Sequence, residues 1–162
     1  MKLSYVREGF AVRRYHTVPH VAITETVGHH TANVIALLFV IYTGTPPVHL
    51  IRRALHHDVA EATMGDVPAT AKWEFPEVRK ALHQAEEVLE RRYSLATDAS
   101  LTPVEKEILK FADMYDLTLK AEEEVKAGNQ YFNEIYFNGR KYLVEHYSNH
   151  IHPAIRELME GI

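Results

Sequence analysis

The stretch His57-Asp58-Val59-Ala60-Glu61, followed by Gly65-Asp66-Val67-Pro68, decides how this 162-residue chain is interpreted. A histidine directly before an aspartate, upstream of a carboxylate and a Gly-Asp turn, is typical of a metal site. His30, at the start of an apolar helix, and Asp113, much later in the chain, add one nitrogen and one oxygen donor. Together these residues form an H…HD…D set of four donors, which predicts binding of one divalent cation.

The donor types indicate which metal this site prefers. Mixed imidazole and carboxylate ligands suit a divalent transition metal such as Zn, Co or Mn better than Ca, with Mg as the alternative. His57 and Asp58 are neighbours, about 100° apart around a helix axis, and both can grip an ion that sits at the helix end. Glu61 follows Asp58 by three residues and His57 by four. We therefore expect it on the same helix face, within reach of a metal-bound water.

Composition excludes several classes of protein. The chain is 46% hydrophobic and 25% charged, which is ordinary for a globular protein, and we expect one domain over residues 1–162. It has no cysteine, which excludes disulfides, thiolate zinc fingers and cysteine nucleophiles. A net charge of −4 argues against a nucleic-acid polymer as partner. There is no signal-peptide pattern, and the longest apolar run, Val34 to Tyr42, is too short for a bilayer. We therefore expect no membrane partner and a cytoplasmic location.

Helical periodicity dominates the sequence and predicts an all-α bundle of five to seven helices. The predicted helices cover residues 4–12, 28–42, 47–62, 76–93, 103–126 and 131–159, the last broken near Asn138-Gly139 and Pro153. The segment 13–27 is expected to be an irregular connection and 64–73 a loop. The HD pair is expected near the C-terminal end of the third helix. Thr102-Pro103-Val104-Glu105 has the pattern of a helix N-terminus, and Glu122-Glu123-Glu124 is expected on a solvated face.

At these residues the chain resembles the HD-domain phosphohydrolases, and in particular the small bacterial 5'-deoxynucleotidases and the phage deoxynucleoside triphosphate triphosphohydrolases. The resemblance covers about residues 10–127. It rests on Arg14-Tyr15-His16-Thr17, Thr26-Val27-Gly28-His29-His30, His56-His57-Asp58-Val59-Ala60-Glu61, Gly65-Asp66-Val67-Pro68 and Lys110-Phe111-Ala112-Asp113. It implies a compact HD-domain bundle and a metal-dependent enzyme that acts on deoxynucleoside 5'-phosphates.

The resemblance also implies a role for each matching residue. The metal ligands would be His30, His57, Asp58 and Asp113. Glu61 and the ligand Asp58 would be the catalytic residues, and Glu61 would act with the nucleophilic water. Asp66 would face the 3'-hydroxyl of the deoxyribose. Arg14 would contact phosphate, and Tyr15 would lie against the sugar or base.

Other positions depart from the family pattern or extend it. His29 stands where the family usually has a glutamate, so either of two adjacent histidines is a candidate ligand, and we favour His30. Val18 replaces a tryptophan of many relatives, which predicts altered base or sugar selection. Lys72 follows the Gly-Asp-Val-Pro turn, and Lys110 lies nearly one helical turn before the last ligand. Both lysines are candidates for binding phosphate, and the alternative for each is a solvated side chain.

Three functions are compatible with these residues. We favour a triphosphohydrolase that converts a dNTP such as dATP to the deoxynucleoside and tripolyphosphate, because the chain is short and its segment at Val18 is altered. The candidate cations for the extra phosphates are Arg14, Lys72, Arg79 and Lys110. The first alternative is a 5'-deoxynucleotidase that releases phosphate from dNMPs. The second is a non-catalytic, nucleotide-binding regulatory module. Because the domain is small, with dense apolar residues at Tyr131–Phe137, we also expect a homo-oligomer, either a dimer or a hexamer.

Overall fold

The computed structural model describes residues 2–162, and nearly all of its regular structure is helical. The α-helices of this range are α1 (Leu3–Phe10), α2 (Val27–Tyr42), α3 (Val48–His56), α4 (Glu61–Met64), α5 (Ala69–Glu74), α6 (Pro76–Tyr93), α7 (Pro103–Lys126), α8 (Asn133–Tyr147) and α9 (Pro153–Met159). Asp98–Ser100 and Gln130–Phe132 are short 3-10 helices. Residues 2–162 contain no β-strand, only an isolated bridge between Arg13 and Thr26. The predicted all-α class is confirmed.

Short helices account for the difference between the nine α-helices of residues 2–162 and the predicted five to seven. The three shortest, α4, α5 and α9, have 4, 6 and 7 residues. Helix α5 lies where the sequence predicted a loop over 64–73, and that prediction is wrong. Pro68 precedes it in extended conformation and its carbonyl accepts a hydrogen bond from the Lys72 N–H at 3.2 Å, which starts a helical turn.

Helix α7 is the centre of the molecule. Its N-terminus carries the predicted capping box: the Thr102 hydroxyl accepts from the Glu105 N–H at 3.2 Å, and the Glu105 carboxylate accepts from the Thr102 N–H at 2.8 Å. Along its length α7 packs against α2 on one side and α8 on the other. Fully buried apolar side chains fill the space between these helices, among them Leu38, Ile41, Phe111, Phe132 and Leu143. No helix of residues 2–162 has the length and apolar character that crossing a membrane requires.

Helix α8 is continuous through Asn138-Gly139, where the sequence predicted a break. The reason is the close approach of α7: a Cβ added at Gly139 would lie 2.5 Å from the Thr118 Oγ1. Glycine is therefore required here for packing between two helices and not for a turn. The helical region ends later, at Tyr147, and restarts at Pro153.

The HD pair does not lie within a helix, contrary to the prediction of one helix over 47–62. Helix α3 ends at His56, and residues 57–60 form turns before α4 begins at Glu61. Here the Val59 N–H bonds the His56 carbonyl at 3.2 Å and the Glu61 N–H bonds the Asp58 carbonyl at 3.0 Å, in each case three residues earlier. The tighter winding separates the HD pair from the regular helix and places it at the helix end.

Glu124 is fully buried, although its Glu-Glu-Glu run was expected to be solvated. Its carboxylate accepts hydrogen bonds from the backbone N–H groups of Val21, at 2.9 Å, and Ala22, at 3.1 Å, and from the Asn129 amide at 2.7 Å. The Lys120 ammonium lies 3.3 Å away. Glu124 therefore fastens the irregular segment 13–26 to α7.

These hydrogen bonds predict a pH-dependent contribution of Glu124 to stability. Although burial acts to raise it, the Asn129 amide, the Val21 N–H and Lys120 lower the pKa of Glu124 to about 2. A depressed pKa stabilises the fold above the unfolded value of about 4.3, and this contribution is lost as the pH falls toward 2. We expect Glu124→Gln to lower the free energy of unfolding at pH 7 by about 1.5–3 kcal/mol, measured by urea denaturation.

The neighbouring glutamate is the matched control for this measurement. The Glu123 side chain is 68% exposed and lies 3.8 Å from Lys120. Glu123→Gln should change the free energy of unfolding by less than about 0.5 kcal/mol. An equal loss in the two variants, or a Glu124→Gln deficit that is unchanged at pH 3, would contradict the assigned role.

Candidate active site

Two imidazoles from different helices converge at one end of the bundle. His30, on α2, is fully buried, and its Nε2 lies 3.1 Å from the Nε2 of His57, at the end of α3. On the opposite edge of each ring the Nδ1–H donates a hydrogen bond. The His57 Nδ1–H donates to the Ala54 carbonyl at 2.6 Å, and the His30 Nδ1–H donates to the Asp116 carboxylate at 2.6 Å. These outer bonds place both Nε2 lone pairs toward the same point.

Two carboxylates close the group. The Asp58 Oδ2 lies 3.4 Å from the His57 Nε2 and 3.6 Å from the His30 Nε2, and the Asp113 Oδ1 lies 3.2 Å from the His30 Nε2. Ligand atoms of His30, His57 and Asp113 all lie within 4.8 Å of one another. Two facing lone pairs and two carboxylates repel one another unless a positive charge lies between them. The residues therefore fit a divalent cation.

The charges of the cluster reinforce this chemistry. Burial acts to raise the pKa of Asp113, but Lys110 and His30 hold it well below its usual value. Burial and Arg14 act to lower the pKa of His30, but hydrogen bonds to Asp113 and Asp116 raise it to about 9. The Asp113 carboxylate thus stays ionised at neutral pH and favours positive charge at His30, as a proton or as a metal ion. Burial lowers the pKa of His57, so its imidazole favours the neutral form that can bind a metal ion.

The cluster opens onto a cavity of about 750 Å³. One face of α7 runs along it, since Lys106, Lys110, Asp113 and Leu117 all line the cavity and recur every three or four residues. Lys106 and Leu117 are eleven positions apart, which is roughly 16 Å along the helix axis. The cations Lys106 and Lys110 lie at the N-terminal end of this face, and the cluster of histidines and carboxylates lies in the middle. Apolar side chains, including Leu117 and Ile135 of α8, lie at the C-terminal end.

Segment 13–26 supplies another wall of the cavity. Tyr15 has a left-handed backbone, with φ of 55°, and its N–H donates to the Asp66 Oδ2 at 2.8 Å. This bond links the segment to the Gly65-Asp66 turn, where φ of 74° and ψ of 167° at Gly65 require glycine. Both the Tyr15 ring and Asp66 line the cavity. The Arg14 guanidinium lines it too, but is buried and pairs with Glu25 at 2.9 Å.

Comparison with known proteins identifies the family. Residues 12–161 match the YfbR-like 5'-deoxynucleotidases. This chain belongs to that family. The predicted resemblance to the small 5'-deoxynucleotidases is confirmed.

Individual relatives agree with this membership. A 5'-deoxynucleotidase of Photorhabdus laumondii is 25% identical over 121 residues, which are 67% of this YfbR-like chain and 61% of the relative. The chain thus spans less than two thirds of that relative's length.

Solved structures show the same fold. An HD-domain phosphohydrolase of Listeria innocua superposes with a TM-score of 0.79 at 19% identity, covering 98% of this chain and 84% of that one. A cyanophage S-2L HD phosphohydrolase, bound to dA and one catalytic Zn²⁺ ion, gives 0.68 at 21% identity, covering 99% and 94%.

The YfbR-like fold brings the predicted site residues together. All except His30, which lies behind His57, line the cavity; they are Arg14, Tyr15, His57, Asp58, Glu61, Asp66, Lys72, Lys110 and Asp113. The neighbouring His29 is exposed and instead caps α2, its Nδ1 accepting from the Thr26 N–H at 3.4 Å. The Lys110 ammonium is 2.7 Å from Asp113 and so touches the cluster directly.

Sequence reasoning missed two buried acids of this YfbR-like site. Asp116 and Glu25 lie behind His30 and also satisfy the distances of a metal-ligand group. The Arg14 guanidinium, 2.9 Å from Glu25 and 3.8 Å from Asp116, already supplies the positive charge there. Asp116 follows Asp113 by three residues on α7, a spacing that places both on one side of the helix. Glu25 carried no such signal.

The cluster predicts that Asp58→Ala removes bound metal. Loss of one of four ligands that lie close together should abolish the one ion per subunit expected in the wild type, measured by elemental analysis. The helical circular dichroism spectrum should be retained. Asp66→Asn is the control, because Asp66 lines the same cavity without contacting the imidazoles, and it should keep its metal. Full occupancy in Asp58→Ala would disprove the ligand assignment.

Proposed function

We propose that this chain is a metal-dependent 5'-deoxynucleotidase that releases phosphate from deoxynucleoside monophosphates. The observation that carries the proposal is the group of two imidazoles and two carboxylates, opening onto a cavity with cations on one side and apolar side chains on the other. A nucleotide has this same polarity, with phosphate at one end and base at the other. Membership in the YfbR-like family supports the reaction class.

His30, His57, Asp58 and Asp113 would hold one divalent cation, and we propose Zn, Co or Mn, with Mg as the alternative. Such a cation, when bound, polarises a phosphoryl oxygen and lowers the pKa of a water. The cyanophage structure, which holds one catalytic Zn²⁺ ion, supports this donor chemistry. Lys110 and the part of Arg14 that faces the cavity are placed to bind the negative phosphate oxygens.

Glu61 is the residue suited to move a proton. It lines the cavity, and its buried Oε2 has no hydrogen-bond partner among residues 2–162. Burial, with the charges of Asp58 and Asp66, raises the pKa of Glu61 to about 9, so without a cation nearby its carboxyl group holds a proton at neutral pH. A divalent cation held beside it by Asp58 would favour the ionised form, which is the form that can accept a proton. We propose that its oxygen takes the proton of the attacking water.

We propose that Asp66 and Tyr15 recognise the sugar. The Asp66 Oδ2 is occupied by the Tyr15 N–H at 2.8 Å, which fixes the carboxylate and leaves its second oxygen for a substrate hydroxyl. We propose that this oxygen accepts from the 3'-hydroxyl and that the buried Tyr15 ring crowds a 2'-hydroxyl. A site built to pair a hydroxyl strongly rejects substrates without it.

We propose dNMPs as the substrates in place of the dNTPs that the sequence alone favoured. The family match and the Photorhabdus laumondii relative both support the nucleotidase. A regulatory module without activity is disfavoured, since the four donors lie close together and His57, Asp58 and Asp113 line the same cavity as Glu61. The predicted homo-oligomer and cytoplasmic location stay predictions.

A dNTP triphosphohydrolase is the second candidate, favoured by one observation. A second cavity of about 630 Å³ adjoins the first, shares Lys72, Arg79 and Lys110 with it and adds Lys80. Lys72, Arg79 and Lys80 form no ion pair with a carboxylate of residues 2–162 within 4.0 Å. These free cations suit the β- and γ-phosphates of a longer substrate.

The proposed role of Glu61 predicts a loss of turnover without a loss of metal. Glu61→Gln keeps the size of the side chain but cannot take a proton, so kcat for a dNMP should fall by roughly 10²–10⁴. Metal content, measured on the same preparation, should match the wild type. A loss of less than about threefold would exclude Glu61 from the proton transfer.

Product analysis by chromatography separates the two candidate substrates. With each dNMP, dNTP and ribonucleotide under Co²⁺, Mn²⁺, Mg²⁺ and Zn²⁺, we expect orthophosphate from dNMPs, slower turnover of NMPs and poor turnover of dideoxynucleotides. Release of tripolyphosphate from dNTPs, with dNMPs untouched, would establish the second candidate. Equal turnover of AMP and dAMP would disprove the proposed sugar recognition.

Lys80→Ala sharpens the distinction, because Lys80 lines only the second cavity. A charge-assisted contact to a terminal phosphate contributes about 1.5–3 kcal/mol, so its loss should lower dNTP turnover roughly tenfold or more. The nucleotidase predicts that dNMP turnover in Lys80→Ala equals that of the wild type.

A further inference from the structure

Asp116 lies on the side of His30 that faces away from the cavity. It is 5% exposed, and its Oδ2 accepts the His30 Nδ1–H at 2.6 Å. It does not line the cavity and so has no direct access to substrate. Any effect of Asp116 on the reaction must therefore act through the His30 imidazole.

The hydrogen bond determines which nitrogen of His30 is available. An imidazole has two tautomers, and only the one with its proton on Nδ1 directs a lone pair from Nε2. A carboxylate behind a ligating histidine fixes this tautomer, orients the ring and makes the free nitrogen a stronger donor. His57 has a weaker arrangement, since its Nδ1–H is held by the neutral Ala54 carbonyl at 2.6 Å.

Asp116 is itself held in place. The Arg14 Nη1 lies 3.8 Å from its Oδ2 and 2.9 Å from Glu25, and all three side chains are buried. The guanidinium compensates two carboxylates that would otherwise repel each other. Asp116 therefore has a fixed position and an ionised partner, as a side chain that orients another group requires.

We propose that Asp116 is a positioning residue that sets the metal affinity of the site by fixing the tautomer and orientation of His30. The proposal rests on the metal centre of the proposed function. The role of Asp116 goes beyond the proposed function, because Asp116 touches neither metal nor substrate. It also makes the two histidines unequal, since His30 is the strongly held ligand and His57 is the adaptable one.

Metal titration of the apoprotein tests the proposal. With metal-free protein and Zn²⁺ buffered by a competing chelator, Asp116→Ala should bind roughly 10- to 100-fold more weakly than the wild type. Asp116→Asn should lie between them, because its amide oxygen accepts the hydrogen bond without the negative charge. At saturating Zn²⁺ the Asn variant should recover most of its kcat. An affinity equal to the wild type in both variants would overturn the proposal.

Glu124→Gln is the matched control, because Glu124 is also a buried acid of α7 that accepts several hydrogen bonds but contacts no imidazole of the cluster. It should lose stability and keep its affinity for Zn²⁺. If it loses as much affinity as Asp116→Asn, the effect reports general destabilisation and the assignment to Asp116 is wrong.

Nitrogen-15 NMR of the Zn²⁺-loaded wild type gives a readout that does not depend on whether the variants fold. The His30 Nδ1 should carry a downfield proton that exchanges slowly with water, and absence of this proton would also overturn the proposal. A wild type that binds Zn²⁺ as described but hydrolyses no deoxynucleotide would refute the proposed function and leave the role of Asp116 intact.

Discussion

The 3.1 Å approach of the His30 and His57 Nε2 atoms is the constraint on which the rest of the site depends. Both rings must turn their Nδ1–H groups outward, so each needs an acceptor behind it. For His57 that acceptor is the Ala54 carbonyl, which is available because α3 ends at His56. For His30 it is Asp116, which α7 places one helical turn from Asp113. The end of α3 thus provides the acceptor for the His57 Nδ1–H, and the packing of α7 against α2 provides the acceptor for the His30 Nδ1–H.

Helix α7 connects the parts of the site because it contributes to each of them. Lys110 and Asp113 face the cavity, Asp116 lies behind His30, and Glu124 fastens the segment that carries Tyr15. A helix is stiff over this distance, so the spacing of these side chains is set by the helical rise. Such anchors, together with the bridge between Arg13 and Thr26, give the irregular segment a fixed shape in which Tyr15 adopts a left-handed backbone.

The distribution of charge gives the cavity a direction. The protein carries a net charge of −4, and the cluster of histidines and carboxylates is itself rich in negative charge. The proposed anionic substrate would therefore be attracted by local cations and not by the overall field. Lys72, Arg79 and Lys110 are grouped on one side of the cluster, and Leu117 and Ile135 lie on the other. This polarity matches that of the proposed nucleotide substrate, which has phosphate at one end and a base at the other.

The sequence by itself determined the all-α class, the N-termini at Pro76 and Pro103, and the set of donors, because helical periodicity, capping and metal-ligand chemistry depend on residue types within a few positions. It could not predict that Glu124 is buried or that Asp116 stands behind His30. Those contacts join residues 103 and 86 positions apart, so they exist only once the helices have packed. Tertiary packing likewise made Gly139 a close contact within α8 instead of a break, because a side chain there would collide with α7.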